Sequence, residues 1–196
     1  TLQHSWRYYR PGNTGIQGDD ATALWVNEFG DPYIAANTGN WGEGGFARFN
    51  QSDTTWTNFS NVDYEILGSF DNGDIHFLDI IEDQDKNLWF GSLKGAIKFN
   101  PLAGIATAEN FSQNNSVLQG FTYDIDLAPD SSVWFTSGGL VRYTPKTGEW
   151  SSWEGSNIRI AVQPKPDGSY LVWSADTYYG YVYTYNSATN QYTNYT

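Results

Sequence analysis

Apolar and polar residues alternate along this 196-residue chain in short runs closed by Gly, Asn, Asp or Pro, and the same order of runs recurs four times. Each copy opens on an apolar run, at 21–26, 75–81, 121–127 and 158–162. A turn follows, as in Asp83-Gln84-Asp85-Lys86-Asn87 or Lys165-Pro166-Asp167-Gly168. Short polar side chains and glycine suit tight hairpins. The second run is aromatic: Tyr33-Ile34-Ala35, Leu88-Trp89-Phe90, Val133-Trp134-Phe135 and Tyr170-Leu171-Val172-Trp173. The third is a glycine-led phrase: Gly45-Phe46-Ala47-Arg48-Phe49-Asn50, Gly95-Ala96-Ile97-Lys98-Phe99-Asn100, Gly139-Leu140-Val141-Arg142-Tyr143-Thr144 and, more loosely, Gly180 to Asn186. The fourth is an aromatic pair: Trp56 with Phe59, Trp150 with Trp153, Tyr192 with Tyr195. The second copy keeps only Phe111, with Ala108 in the Trp place.

Runs of this length, rich in β-branched and aromatic residues and bounded by turn residues, predict an all-β chain. The anchoring aromatics Phe49, Phe99, Tyr143 and Tyr185 lie 50, 44 and 42 residues apart. A period near 40–45 residues with several strands per copy predicts propeller blades. Four four-stranded blades are expected at about 19–60, 74–112, 119–154 and 156–196, as one β-propeller over 1–196. Trp6-Arg7-Tyr8-Tyr9 repeats the fourth-run pattern one period before Trp56, so residues 1–10 are expected to form the outer strand of a preceding blade. The expectation is therefore part of a larger propeller, its remaining blades in a missing segment or another chain. A self-contained four-blade ring and two chains closing one ring are the alternatives.

Aromatic residues make up 17% of the chain, enough ring area to stabilise a fold that has no cysteine. Without cysteine there is neither a disulfide nor a thiolate metal site. The formal charge of −12 disfavours nucleic acid and anionic membranes, which need clustered Lys and Arg. No apolar run approaches the roughly 18 residues that would read as a membrane span.

The stretch Ile80-Ile81-Glu82-Asp83-Gln84-Asp85-Lys86-Asn87-Leu88-Trp89-Phe90-Gly91-Ser92, followed by Gly95 and Phe99-Asn100-Pro101, resembles the two-component regulator propeller repeat. The resemblance is strongest over residues 75–145; the first and fourth copies lack the Trp at the expected place. Val133-Trp134-Phe135-Thr136 and Arg142-Tyr143 are more weakly similar to the propeller of streptogramin B lyase. The family resemblance implies an extracytoplasmic propeller of the kind found in Bacteroidetes sensors and in surface proteins linked to type IX secretion. Those sensors recognise oligosaccharides. Location outside the cytoplasm (extracellular, cell-surface or periplasmic) is implied by the same resemblance.

Candidate chemistry lies where the repeat breaks. The first copy inserts residues 37–44, with a glycine-flanked Trp41 and Glu43. The connection 61–74 holds Tyr64 and several acids, and the fourth copy carries Tyr178 and Tyr179. Aromatic loop residues of this kind stack on sugars or hold protein partners. His76 opens the second inner strand, where a lyase would place a base. Asp79 and Asp124 hold the same place in neighbouring inner strands, so they read either as an acid–base pair or as solvated structural carboxylates. Asp83, Asp85 and Asn87 have the alternating oxygens of a Ca²⁺ loop, and equally of a strand-connecting turn. No other cofactor is indicated, and no convergent catalytic set appears. The sequence therefore points to a noncatalytic module that binds an oligosaccharide or protein through face loops. A lyase or glycosidase with residues at the channel mouth, and a structural part of a surface or secretion assembly, are the alternatives.

Overall fold

Four hairpin turns start the four repeats in the same way. Asn27 Oδ1 accepts the amides of Phe29 and Asp31, and Asp83 Oδ1 accepts those of Asp85 and Asn87. Asp130 Oδ1 and Asp167 Oδ1 accept the amides of Ser132 and Ser169. A side-chain oxygen bonded to a backbone N–H two or four residues on closes the turn and sends the chain back antiparallel. The computed structural model of the chain describes residues 7–16, 18, 20–37, 44–67, 76–111, 117–118 and 120–195.

Each repeat is one four-stranded antiparallel sheet, with strands in chain order. Blade one comprises β1 (Asp20–Val26), β2 (Pro32–Asn37), β3 (Gly44–Asn50) and β4 (Thr55–Ser60). Blade two comprises β5 (Phe77–Glu82), β6 (Leu88–Ser92), β7 (Gly95–Phe99) and β8 (Glu109–Asn110). Blade three comprises β9 (Thr122–Leu127), β10 (Val133–Ser137), β11 (Gly139–Thr144) and β12 (Glu149–Glu154). Blade four comprises β13 (Asn157–Pro164), β14 (Tyr170–Asp176), β15 (Val182–Asn186) and β16 (Gln191–Tyr195). The inner strands adjoin in order, β1 on β5, β5 on β9 and β9 on β13. The architecture is a β-propeller. β8 is only two residues long, in the copy where Ala108 replaces the outer-strand Trp.

Three apolar cores lie between the blades. The first joins Tyr33, Ala35 and Phe46 of blade one to Leu88, Phe90 and Phe99 of blade two. Trp89 and Ala96 meet Ile125, Val133 and Phe135 in the second. In the third, Trp134 and Leu140 meet Tyr170, Val172 and Tyr185. Side chains alternate across a strand, so blades two and three each contribute one set of residues to the core before them and another to the core after them.

The glycine-led phrase has a packing reason at each end. A Cβ on Gly45 would lie 2.1 Å from the Phe59 carbonyl oxygen, and one on Gly139 would lie 2.3 Å from that of Trp153. The outer strand therefore approaches too closely for any side chain. The basic residue of the phrase lies over the second-strand aromatic. Arg48 lies 5.9 Å from the Tyr33 ring, Lys98 5.8 Å from Trp89 and Arg142 5.7 Å from Trp134. Each also pairs with an acid: Asp31, Glu109 and Asp130. In blade four Thr184 holds the place of the basic residue, opposite Trp173, and this cation–aromatic pair is gone.

Of the outer strand expected at 1–10, residues 7–10 lie within the described residues. Residues 7–10 form no strand, and one helical turn, α1 (Pro11–Thr14), follows them. Trp6 lies outside the described residues. Tyr9 nevertheless packs 5.5 Å from Phe49 and 5.3 Å from Trp56. Tyr9 thus makes the contact of an outer-strand aromatic, while residues 7–10 pair with no strand.

The cores set the stability of the chain. Trp134→Ala should destabilise it by about 3–5 kcal/mol, the usual cost of emptying a fully buried Trp site. Trp173→Ala, at an exposed position of the next blade, should cost less than about 1 kcal/mol. Denaturant unfolding of both variants at low protein concentration measures the difference, and equal losses would contradict the core assignment.

Candidate functional site

Antiparallel connectivity divides the loops between two ends. Connections from second to third strands, and from each outer strand to the next blade, lie at one end. First-to-second and third-to-fourth turns lie at the other. The described start of the β4–β5 connection, residues 61–67, and the β14–β15 connection run toward one face, together with the entry to β5 that carries His76. The Asp83 turn joins β5 to β6 and lies at the opposite end.

On the first face a shallow depression of about 270 Å³ opens between blades three and four. Its walls include Phe121, Tyr123 and Tyr178, and Gly120, Gly138 and Gly155 lie along it. Phe121 is 50% exposed and Tyr178 is 81% exposed. Phe121 meets Tyr123 edge-on at 5.7 Å. Burial raises the Tyr123 phenol above its usual range, and the neighbouring Tyr178 raises it further. Asp176 Oδ1 accepts the amides of Tyr178 at 2.6 Å and Tyr179 at 3.0 Å, which fixes the loop beneath these rings. Tyr179 stacks on Tyr181 at 5.6 Å.

Ser156 and Asn157 are the polar side chains of this depression, and Asn157 is the buried one. It is 1% exposed, and its Nδ2 donates to the Tyr192 hydroxyl at 3.4 Å. Its Oδ1 has no hydrogen-bond partner among the described residues. Buried amide oxygens usually have one. A Cβ on Gly155 would sit 3.0 Å from Asn157 Nδ2, so glycine makes room for the amide. The site combines aromatic walls, little side-chain bulk and one buried acceptor. Such an arrangement binds by stacking and hydrogen bonding.

The structure distributes the other sequence candidates elsewhere. Trp41 and Glu43 lie outside the described residues. Tyr64 is half-buried, 6.2 Å from the Phe59 ring, and flanks the first core. His76 is half-buried just ahead of β5, and its carbonyl accepts the Leu93 amide at 3.2 Å. It does not line the depression. Phe121, Asn157 and the three glycines were not singled out from sequence, because Phe121 and Asn157 read as ordinary strand-edge residues of the repeat.

Asp83 is a hub of the turn. Besides two backbone amides it accepts Asn87 Nδ2, and it accepts the Trp89 indole N–H at 2.8 Å. Its oxygens therefore anchor a buried Trp, while Asp85 is exposed. Among the described residues, no three acidic or imidazole side chains cluster closely enough to hold a metal.

Asp79 and Asp124 join the inner strands. Asp79 Oδ2 accepts the Ile125 amide at 2.8 Å, and Asp124 Oδ2 accepts the Ile160 amide at 2.9 Å. Asp126 repeats the bond to Val162 at 2.7 Å. Each carboxyl thus ties one blade to the next. Burial pushes the Asp79 carboxyl up to about 7, against the pull of the Ile125 and Ile80 amides. A hydrogen bond with Asp124 and the charge of that carboxylate raise it further. Two carboxyls sharing a proton are stable where two carboxylates would repel.

No protein-family model matches the sequence, and no curated protein does. Solved structures match its fold. The extracellular domain assigned to a hybrid two-component system of B. thetaiotaomicron aligns with 15% identity and a TM-score of 0.65, over 95% of this chain and 23% of that one. PorZ, a surface component of the type-IX secretion system of Porphyromonas gingivalis, aligns with 17% identity and a TM-score of 0.64, over 93% of this chain and 28% of that one. An auxiliary nutrient binding protein from Bacteroides ovatus aligns with 12% identity and a TM-score of 0.56, over 91% and 42%. The chain spans about a quarter of the length of the first two. Among the described residues no helix is long and apolar enough to cross a membrane. The blade order, the interblade cores and these alignments together establish the β-propeller fold.

The Asp79 proton makes stability depend on pH. The folded chain keeps it up to about pH 7. An unfolded aspartate loses it near 3.9. Between those values the folded state binds more protons, so stability falls as pH rises through the window. Thermal unfolding should show the melting temperature dropping from pH 5 to pH 8, with Asp79→Asn flattening the profile. An unchanged slope in the variant would refute the assignment.

Proposed function

We propose that this chain is a noncatalytic, extracytoplasmic recognition module that binds an oligosaccharide on the face holding the connections between blades. The observation that carries this reading is the depression walled by Phe121, Tyr123 and Tyr178 around buried Asn157. Pyranose rings present flat C–H faces that stack on exposed aromatics, and hydroxyls that donate to an amide oxygen. Asn157 Oδ1, unpartnered among the described residues and buried beside the aromatic wall, is the acceptor that a bound ring would uncover. The glycines leave space for a ring to approach the backbone.

Two further observations support it. Fold neighbours are described as an extracellular domain, a surface component and a nutrient-binding protein. The inner-strand carboxyls Asp79, Asp124 and Asp126 are engaged by backbone amides, which suits a structural role at the channel better than acid–base turnover. A protein ligand is the second occupant that exposed Tyr178 and Tyr179 would suit, since tyrosines at loop tips are frequent anchors of protein contacts.

A glycan array probed with the whole chain, followed by calorimetry on the best hit, tests the reading. Tyr178→Ala and Phe121→Ala should each weaken binding roughly tenfold, about 1.4 kcal/mol, with the melting temperature unchanged. Absence of any glycan hit, or binding indifferent to both substitutions, overturns it.

A further inference from the structure

The inner strand of blade four reverses a charge that the two blades before it share. Asp79 stands opposite Gly91, the second-last residue of β6. Asp124 holds the same place in β9, where the hydroxyl of Thr136, second-last in β10, donates to its carbonyl at 3.5 Å. In blade four that place, opposite Ala175 of β14, belongs to Arg159. The two carboxyls reach forward to the Ile125 and Ile160 amides of the next blade. Arg159 reaches back instead. Its Nη1 donates to the Tyr123 carbonyl of blade three at 3.4 Å and to the Ile158 carbonyl at 3.0 Å.

Both carbonyls belong to residues that line the depression between blades three and four. The guanidinium is therefore held at the edge of that depression, on an exposed residue. Arg48, Lys86, Lys98 and Arg142 each pair with an acid. Arg159 makes no ion pair among the described residues, although the chain has 22 acids to 10 Lys and Arg and a partner would be easy to supply. Asp124, next to Tyr123, and Asp176, which holds the Tyr178 loop, are turned to the amides of Ile160, Tyr178 and Tyr179.

The two carbonyl bonds engage one end of the guanidinium and leave one edge open. Nη1 is taken, while Nε and Nη2 make no hydrogen bond among the described residues. Those two N–H groups lie side by side and form the fork that takes both oxygens of a carboxylate or a sulfate. The carbonyls also hold the guanidinium in place before any ligand arrives. Pairing then costs less side-chain entropy than it would for an untethered arginine.

We propose that the oligosaccharide taken by this depression is acidic, and that Arg159 pairs with a carboxylate or sulfate on the sugar whose ring stacks on Phe121 and Tyr178. The inference rests on the oligosaccharide reading of the depression and narrows it to one chemical class. A chain of formal charge −12 repels an anion at long range, so an acidic ligand needs a fixed cation at the point of contact. Arg159 is such a cation. The Ser156 hydroxyl, which lines the same depression, is a further donor to an anionic oxygen. A neutral sugar would leave the Arg159 fork to water and gain nothing from it.

Calorimetry on the whole chain with matched probes tests the proposal. The probes are oligogalacturonate and its carboxyl-reduced form, and a sulfated galactan fragment and its desulfated form. In at least one pair the acidic probe should bind roughly fivefold more tightly than its neutral match, or better. The pair that shows the preference tells carboxylate from sulfate. Arg159→Gln should bring the ratio close to one, and Arg159→Lys, which keeps the charge without the fork, should give an intermediate ratio. Circular dichroism checks that both variants are folded. Tyr178→Ala should weaken acidic and neutral probes by the same factor and leave the ratio standing. Equal binding of acidic and neutral probes, or a ratio indifferent to Arg159→Gln, overturns the inference while the oligosaccharide reading stands. Silence from all four probes beside a neutral hit on the glycan array does the same. Silence from the probes and from the array overturns both.

Discussion

Ring-against-ring packing between successive sheets is the contact on which the rest of this protein depends. A four-stranded sheet with apolar residues on both faces cannot be stable alone in water, because either face left open exposes Trp, Phe and Tyr. Stacking blades solves this for every face that has a neighbour. Trp89 and Trp134 show the arrangement. Each is fully buried, each is anchored through its indole N–H, and each touches the third-strand aromatic of the next blade. The carboxyls of Asp79, Asp124 and Asp126 add a polar counterpart at the inner edge, where strands of neighbouring blades converge.

This division of labour explains the acidic composition in part. Asp31, Asp83 and Asp130 accept turn or nearby backbone amides, and Asp176 holds the Tyr178 loop. Asp31 and Asp130 also pair with the arginines that lie over the Tyr33 and Trp134 rings. Many of the acids thus stabilise turns and blade contacts. The face loops are left to vary without disturbing the cores, and the aromatic depression forms where two such loops meet across a blade boundary.

Much of the fold was legible in the sequence. Hairpin turns such as 83–87 and 165–168, the runs around Trp89 and Trp134, and the outer pairs Trp150 with Trp153 and Tyr192 with Tyr195 lie where the repeat places them. These features are local, and each is written in adjacent residues. The conformation of residues 7–14 was not legible, since Tyr9 obeys the repeat in its contact while its backbone pairs with no strand. The candidate site was only partly legible. Tyr178 stood out as a break in the repeat. Phe121 and Asn157, each about one repeat or less away in sequence, did not.

Sequence by itself determined the number of blades in the chain, their strand order and the residues that stack between them. Those follow from alternation along a strand and from turn chemistry, which act over a few residues. Tertiary structure alone decided which carboxyls join neighbouring blades, why glycine begins the third strand, and which loops share an edge of the propeller. Each of those depends on groups far apart in the chain meeting at fixed distances, and spacing along the sequence carries no record of distances across it.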